Sequence, residues 1–104
     1  MEHPSTIPDL MDLWRSTPMG RVRGANSAFA HDLGVESVVV RSMRFRNAVD
    51  VRHWPAVIAS AARHARTAED AKAAAAFAAI NADLLLRLHT RCARAKQKRR
   101  SAAA

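Results

Sequence analysis

Two short apolar stripes separated by one glycine, in residues 26–46 (NSAFAHDLGVESVVVRSMRFR), limit the fold more than any other part of the chain. Phe29, Ala30 and Leu33 recur at the i, i+1, i+4 spacing of a helix face, and after Val35 the residues Val39, Val40 and Met43 give a second helix its own apolar side. Gly34 stands where the chain must leave the first helix with positive φ, a conformation glycine adopts without steric cost. Ala30 supplies the small side chain that two steeply crossed helices need at their closest approach. Ser37 is expected to cap the second helix, whose outward side carries Arg41, Ser42, Arg44, Phe45 and Arg46. A cationic helix after a tight turn is a helix-turn-helix pattern and points toward DNA.

The flanking sequence predicts further helices. Thr6 and Asp9 resemble a capping box, Pro8 is tolerated in a first turn, and Ile7, Leu10, Met11 and Trp14 form an apolar face ending near Arg15. Trp14 is expected as a core anchor. Pro18, Gly20 and Gly24 predict a loop over residues 16–26, in which Arg21 and Arg23 serve either a phosphate-touching arm or a solvated connector. Asp50 is a candidate cap for a helix faced by Trp54, Val57, Ile58, Ala61, Ala62 and Ala65. Pro55 requires an irregular first turn there, or a regular helix that begins at Pro55. Trp54 is expected to lock this helix against the second helix of the pair.

Thr67, Glu69 and Asp70 mark one more helix start, and no proline or glycine follows. Unbroken to about residue 98, that helix would be ~45 Å long at 1.5 Å rise per residue. Ala71, Ala74, Ala78, Leu85, Leu88, Cys92 and Ala95 form a near-heptad stripe, widened by Phe77, Ile80 and Leu84. Leu84, Leu85, Leu86 and Leu88 make more apolar surface than a monomer leaves bare, so a homodimer or docked partner is expected to cover them. Asn81 and the weak alanine knobs argue against a coiled coil. The predicted fold is all-α: a compact helix-turn-helix bundle of about four helices over residues 1–66, then a long Ala-rich helix with a basic tail over residues 67–104. Residues 1–5 and 101–104 are expected to be loose.

Charge sharpens the division. Residues 1–40 hold three Lys/Arg against five Asp/Glu, residues 41–66 six against one, residues 67–83 one against three, and residues 84–104 seven against none. Two basic blocks beside near-neutral segments favour a polyanionic partner over charge kept only for solubility. No apolar run approaches the ~20 residues of a membrane span, and the amino terminus lacks the basic-then-apolar order of a signal peptide. A lone Cys92 leaves no internal disulfide, which fits a cytoplasmic setting.

The stretch GVESVVVRSMRFRNAVDVRHWPAVIASAARHA resembles a family of small bacterial and prophage helix-turn-helix proteins of the Cro/repressor type. Gly34-Val35, Val40, Arg44, Arg46, Trp54-Pro55-Ala56 and Ala61-Ala62 match its pattern, as do Leu13-Trp14 and Phe29-Ala30-x-Asp32-Leu33, so residues 7–66 are covered. Met43 stands where the pattern has tryptophan, Val49-Asp50 replaces Ile-Pro, and the segment with Gly20 and Gly24 is foreign to it. The resemblance implies sequence-specific binding of double-stranded DNA in transcription control. The basic helical tail is also similar to activators of prophage-derived gene transfer agents.

With the second helix in a major groove, Ser37, Val38, Arg41, Ser42 and Phe45 are the candidate base contacts. Arg41 is the best placed for a bidentate contact to guanine, and Val38 can meet a thymine methyl. Arg44, Arg46, Asn47 and Arg52 are candidate phosphate contacts. Leu84, Leu85, Leu88, Arg91 and Arg94 are the candidate partner surface, for dimerisation or for RNA polymerase. A competing class is a protein-interaction module, an antitoxin or polymerase-binding adaptor, that keeps the helix pair as scaffold. No catalytic constellation accompanies the five histidines, and no cofactor motif is present. His89 and Cys92 could supply two metal ligands, but structural zinc wants four and no second pair exists, so no metal site is predicted.

Overall fold

The computed structural model describes residues 4–89, which form helices joined by short turns, with no strand among them. The expectations for residues 1–3 and for Arg91, Cys92, Arg94 and the rest of the basic tail lie outside the described residues. Thr6 Oγ1 accepts the Asp9 N–H at 3.2 Å and opens α1 (Ile7–Asp12), which tightens into a 3-10 turn over Leu13–Ser16.

The segment expected as a loop is a helix, α2 (Pro18–Arg23). Its three breaker residues serve it. Thr17 Oγ1 accepts the Gly20 N–H at 3.0 Å, Pro18 occupies the first turn where no donor is needed, and Gly24 ends the helix at φ 93°. Gly20 is buried against the preceding turn, and a Cβ there would collide with the Trp14 carbonyl oxygen. Glycine is therefore a packing requirement in α2 and not a break.

Next comes α3 (Ala25–Leu33), ended by Gly34 at φ 70°, then α4 (Ser37–Arg46). Ala30 is buried, as a close crossing of helices requires. A 3-10 turn, Val51–His53, leads into α5 (Trp54–Thr67), with Pro55 in the first α-helical turn. Trp54 donates its indole N–H to the Val49 carbonyl at 3.0 Å and sets its ring 6.2 Å from His89. It thus closes the chain just after α4 and faces the last helix.

The long helix expected after residue 67 is two helices. Thr67 belongs to the end of α5, and Asp70 caps α6 (Ala71–Ala78) by accepting the Lys72 and Ala73 N–H groups at 3.3 and 3.2 Å. The chain then leaves helical geometry, and Asn81 Oδ1 accepts the Leu84 N–H at 2.9 Å to start α7, residues 82–89. Asparagine offers the backbone a local acceptor that ends one helix and begins another, which alanine could not do.

The break reorients the leucines. Leu84, Leu85 and Leu88 are buried within the chain's own core, and of the cluster only Leu86 is exposed. They are core residues, and the bare apolar surface assigned to a partner does not exist. One cluster joins Ile7, Leu10 and Trp14 to Phe29, Val40 and Met43, and onward to Val57, Phe77 and Leu85. Trp14 is its centre: fully buried, it meets Phe29 edge-on at 4.8 Å and Phe77 at 5.2 Å. The first helix, the helix pair and α6 thus converge on one indole.

Truncation of Leu85 separates a core role from a surface one. Leu85→Ala should lower the unfolding free energy by about 2–5 kcal/mol in urea denaturation, the range for a buried leucine. A variant as stable as the parent would return the leucines to the surface.

Candidate nucleic-acid interface

The helix α4 begins at Ser37 with Glu36 in the cap position, and no side chain caps it; Ser37 is its first helical residue and not its cap. Val40 and Met43 are buried. The opposite side is open. Val38, Arg41, Ser42 and Phe45, at successive spacings of three, one and three residues, share one exposed side of the helix, in which Phe45 is 92% exposed and Val38 59%. Among the described residues no carboxylate pairs with Arg41. Arg46 is exposed at the same helix end, its Nε 3.4 Å from the Ser42 carbonyl, and Arg52 is 76% exposed at 3.7 Å from Asp50.

The structure divides the four expected phosphate residues into two kinds. Arg46 and Arg52 reach solvent. Arg44 turns inward: its Nη2 donates to Asp12 Oδ1 at 2.9 Å and its Nε to Asn26 Oδ1 at 3.0 Å. Asn47 adopts the left-handed conformation at φ 55° to end α4, and its Oδ1 accepts the Ile7 N–H at 2.8 Å. Arg44 and Asn47 therefore clamp α4 to α1 and to the start of α3. Correcting their assignment, the guanidinium of Arg44 is occupied by protein acceptors. The signal for this clamp was faint in sequence, because Asp12 and Asn26 read as ordinary polar helix residues.

Behind the helix pair lies a polar centre that sequence reasoning missed. Asp32 Oδ2 accepts the Trp14 indole N–H at 2.8 Å and the Ser60 hydroxyl at 2.7 Å, and His64 Nε2 lies 2.7 Å from the same oxygen. Arg63 Nη2 approaches Oδ1 at 3.0 Å. The four partners come from the turn after α1 and from α5, so one carboxylate on α3 holds three segments together. Two clues existed: Asp32 sits beside the apolar stripe of α3, and a buried tryptophan N–H needs an acceptor.

Burial alone would raise the Asp32 carboxyl, but the hydrogen bonds from His64, Ser60 and Trp14, with the electrostatic attraction of His64, outweigh it and hold the group below the usual aspartate range. The buried Ser60 hydroxyl donates to the carboxylate and has no hydrogen bond to the imidazole, unlike the Ser–His pair of an activated serine nucleophile. Among the described residues no group of three His, Cys, Asp or Glu side chains could hold a metal ion, and no helix is long and apolar enough to cross a membrane.

No family model, curated protein or solved structure matches the chain.

A lowered folded-state pKa fixes the sign of the pH dependence. The stabilisation from Asp32 is complete above the unfolded aspartate pKa of about 3.9 and is lost as pH falls through the lower folded value. Asp32→Asn should unfold about 1–3 kcal/mol more easily than the parent at pH 7, with the gap closing in strong acid. Urea melts at several pH values test this, and a gap that widens toward low pH would show that Asp32 is held protonated.

Proposed function

We propose that the chain is a sequence-specific regulator of transcription that binds double-stranded DNA, with α4 in the major groove. The observation that carries this reading is the exposed stripe of Val38, Arg41, Ser42 and Phe45 on a helix whose other side is packed and clamped. A freely solvated helix has no use for an almost fully exposed phenylalanine beside an arginine without a carboxylate partner. A base edge can use both: Arg41 matches the two acceptors of guanine, and Val38 and Phe45 can lie against thymine methyl groups. Ser42 can bond either kind of base edge, and Ser37 lies at the helix start that enters the groove first.

Arg46 and Arg52 supply phosphate contacts, while Arg44 and Asn47 set the orientation of α4 from behind. The concentration of basic residues over 41–66 and the resemblance of residues 7–66 to Cro/repressor-type proteins support the same reading. An adaptor docking through residues 84–88 is the weaker alternative, because burial removes the leucine surface it needs.

The test is a duplex selected by the protein from a random library, titrated beside a scrambled duplex at two salt concentrations. Arg41→Ala should cost about 1–3 kcal/mol on the selected duplex and far less on the scrambled one, with an unchanged thermal melt. Equal losses on both duplexes, or failure to enrich any sequence, would contradict the proposal.

A further inference from the structure

On the side of the molecule built by the 3-10 turn, α2 and α6 lies an open trough of about 740 Å³, continued by a recess of about 280 Å³ that reaches Phe77. Leu13, Ala73 and Ala76 give it an apolar lining, to which Arg15, Arg21 and Lys72 add positive charge. The helix α4 packs on α1 and α3, whereas α6 packs on α5 and the 3-10 turn, so the trough is built from elements other than α4. We infer that this trough docks an acidic amphipathic helix of another protein, with apolar side chains on the alanine lining and carboxylates on Arg21 and Lys72.

Charge selects that occupant. Of the acids, Asp12 lies 2.9 Å from Arg44 and 3.7 Å from Arg15, Asp70 accepts the first N–H groups of α6, and Glu69 lines the recess but not the trough itself. Among the described residues, no carboxylate pairs with Arg21 or Lys72. The trough itself holds three cations, Arg15, Arg21 and Lys72, against two carboxylates, so its balance of charge is positive.

The chain's own residues 90–104 carry six Lys/Arg and no acid, so this trough repels them, and a second copy of a chain with net charge +8 brings like charge to like. A duplex would be drawn to the cations, but an apolar lining offers phosphates nothing. The small side chains of Ala73 and Ala76 let a helix backbone come close, and Leu13 and Phe77 offer contact to its apolar residues, the helix-in-groove mode of recognition. This inference does not depend on DNA binding by α4.

The probe is a synthetic helical peptide of about 16 residues, built of alanine, glutamate and leucine with the leucines on one face. It is titrated into the full-length isotope-labelled protein and followed by amide chemical shifts. The inference expects saturable shifts at Leu13, Arg21, Lys72, Ala73 and Ala76, and none with a peptide in which lysine replaces glutamate. Joint charge reversal, Arg21→Glu with Lys72→Glu, should weaken binding by about tenfold or more, and the milder pair Arg21→Gln with Lys72→Gln should weaken it less. Circular dichroism checks the fold of each variant, and the glutamine pair serves if the reversal unfolds the protein. No saturable binding, shifts centred on α4, equal binding of both peptides, or a DNA duplex shifting the trough residues in place of the peptide would each overturn the inference.

Discussion

Three segments of this fold are tied together by one half-buried carboxylate. Asp32 gathers the indole of Trp14, the hydroxyl of Ser60 and the imidazole of His64 on one oxygen and the guanidinium of Arg63 on the other. An aspartate taken out of water is costly unless donors replace its hydration, and here four do. Its partners also form the centre of the apolar core, because Trp14 packs between Phe29 and Phe77. The polar and apolar halves of the interior thus share one residue. Loss of the carboxylate would leave the indole N–H with only its longer contact to Ser60 Oγ, at 3.2 Å, and would remove the bonds that tie α5 to α3.

From that frame, position passes outward to α4. The helix has no side-chain cap at its start. Its placement comes from Val40 and Met43 below, from Arg44 gripping Asp12 and Asn26, and from Asn47 holding the first N–H of α1. A basic helix ordinarily reads as a uniform electrostatic surface. Here one arginine is spent on orientation while Arg41 and Arg46 remain exposed. On the proposed reading, affinity from charge and precision from packing are separable in this element.

Sequence patterning was most informative where one physical cause dominated. The pair α3 and α4 was legible because apolar spacing, Gly34 and Ala30 all describe the same turn. Trp14 was legible because a large apolar residue on a helical face has one natural destination. The misses share a different cause: residues whose meaning depends on distant partners. Gly20 reads as a breaker until the Trp14 backbone is seen against it, and Asn81 reads as a flaw in a stripe until it caps α7. The leucines at 84, 85 and 88 look unpartnered only along a continuous helix, and the break at Asn81 turns them into the core. Arg44 differs from Arg41 by three positions, and only tertiary structure reveals that Asp12 claims it.

In the proposed function, the frame centred on Asp32 presents the open side of α4 to DNA. Amide and indole chemical shifts, followed while a selected duplex is added to the labelled protein, test it most directly. Large shifts are expected at Val38, Arg41, Ser42 and Phe45, with the Trp14 indole N–H unmoved. Shifts confined to elements away from α4, or an indole signal that moves with the α4 residues, would contradict it.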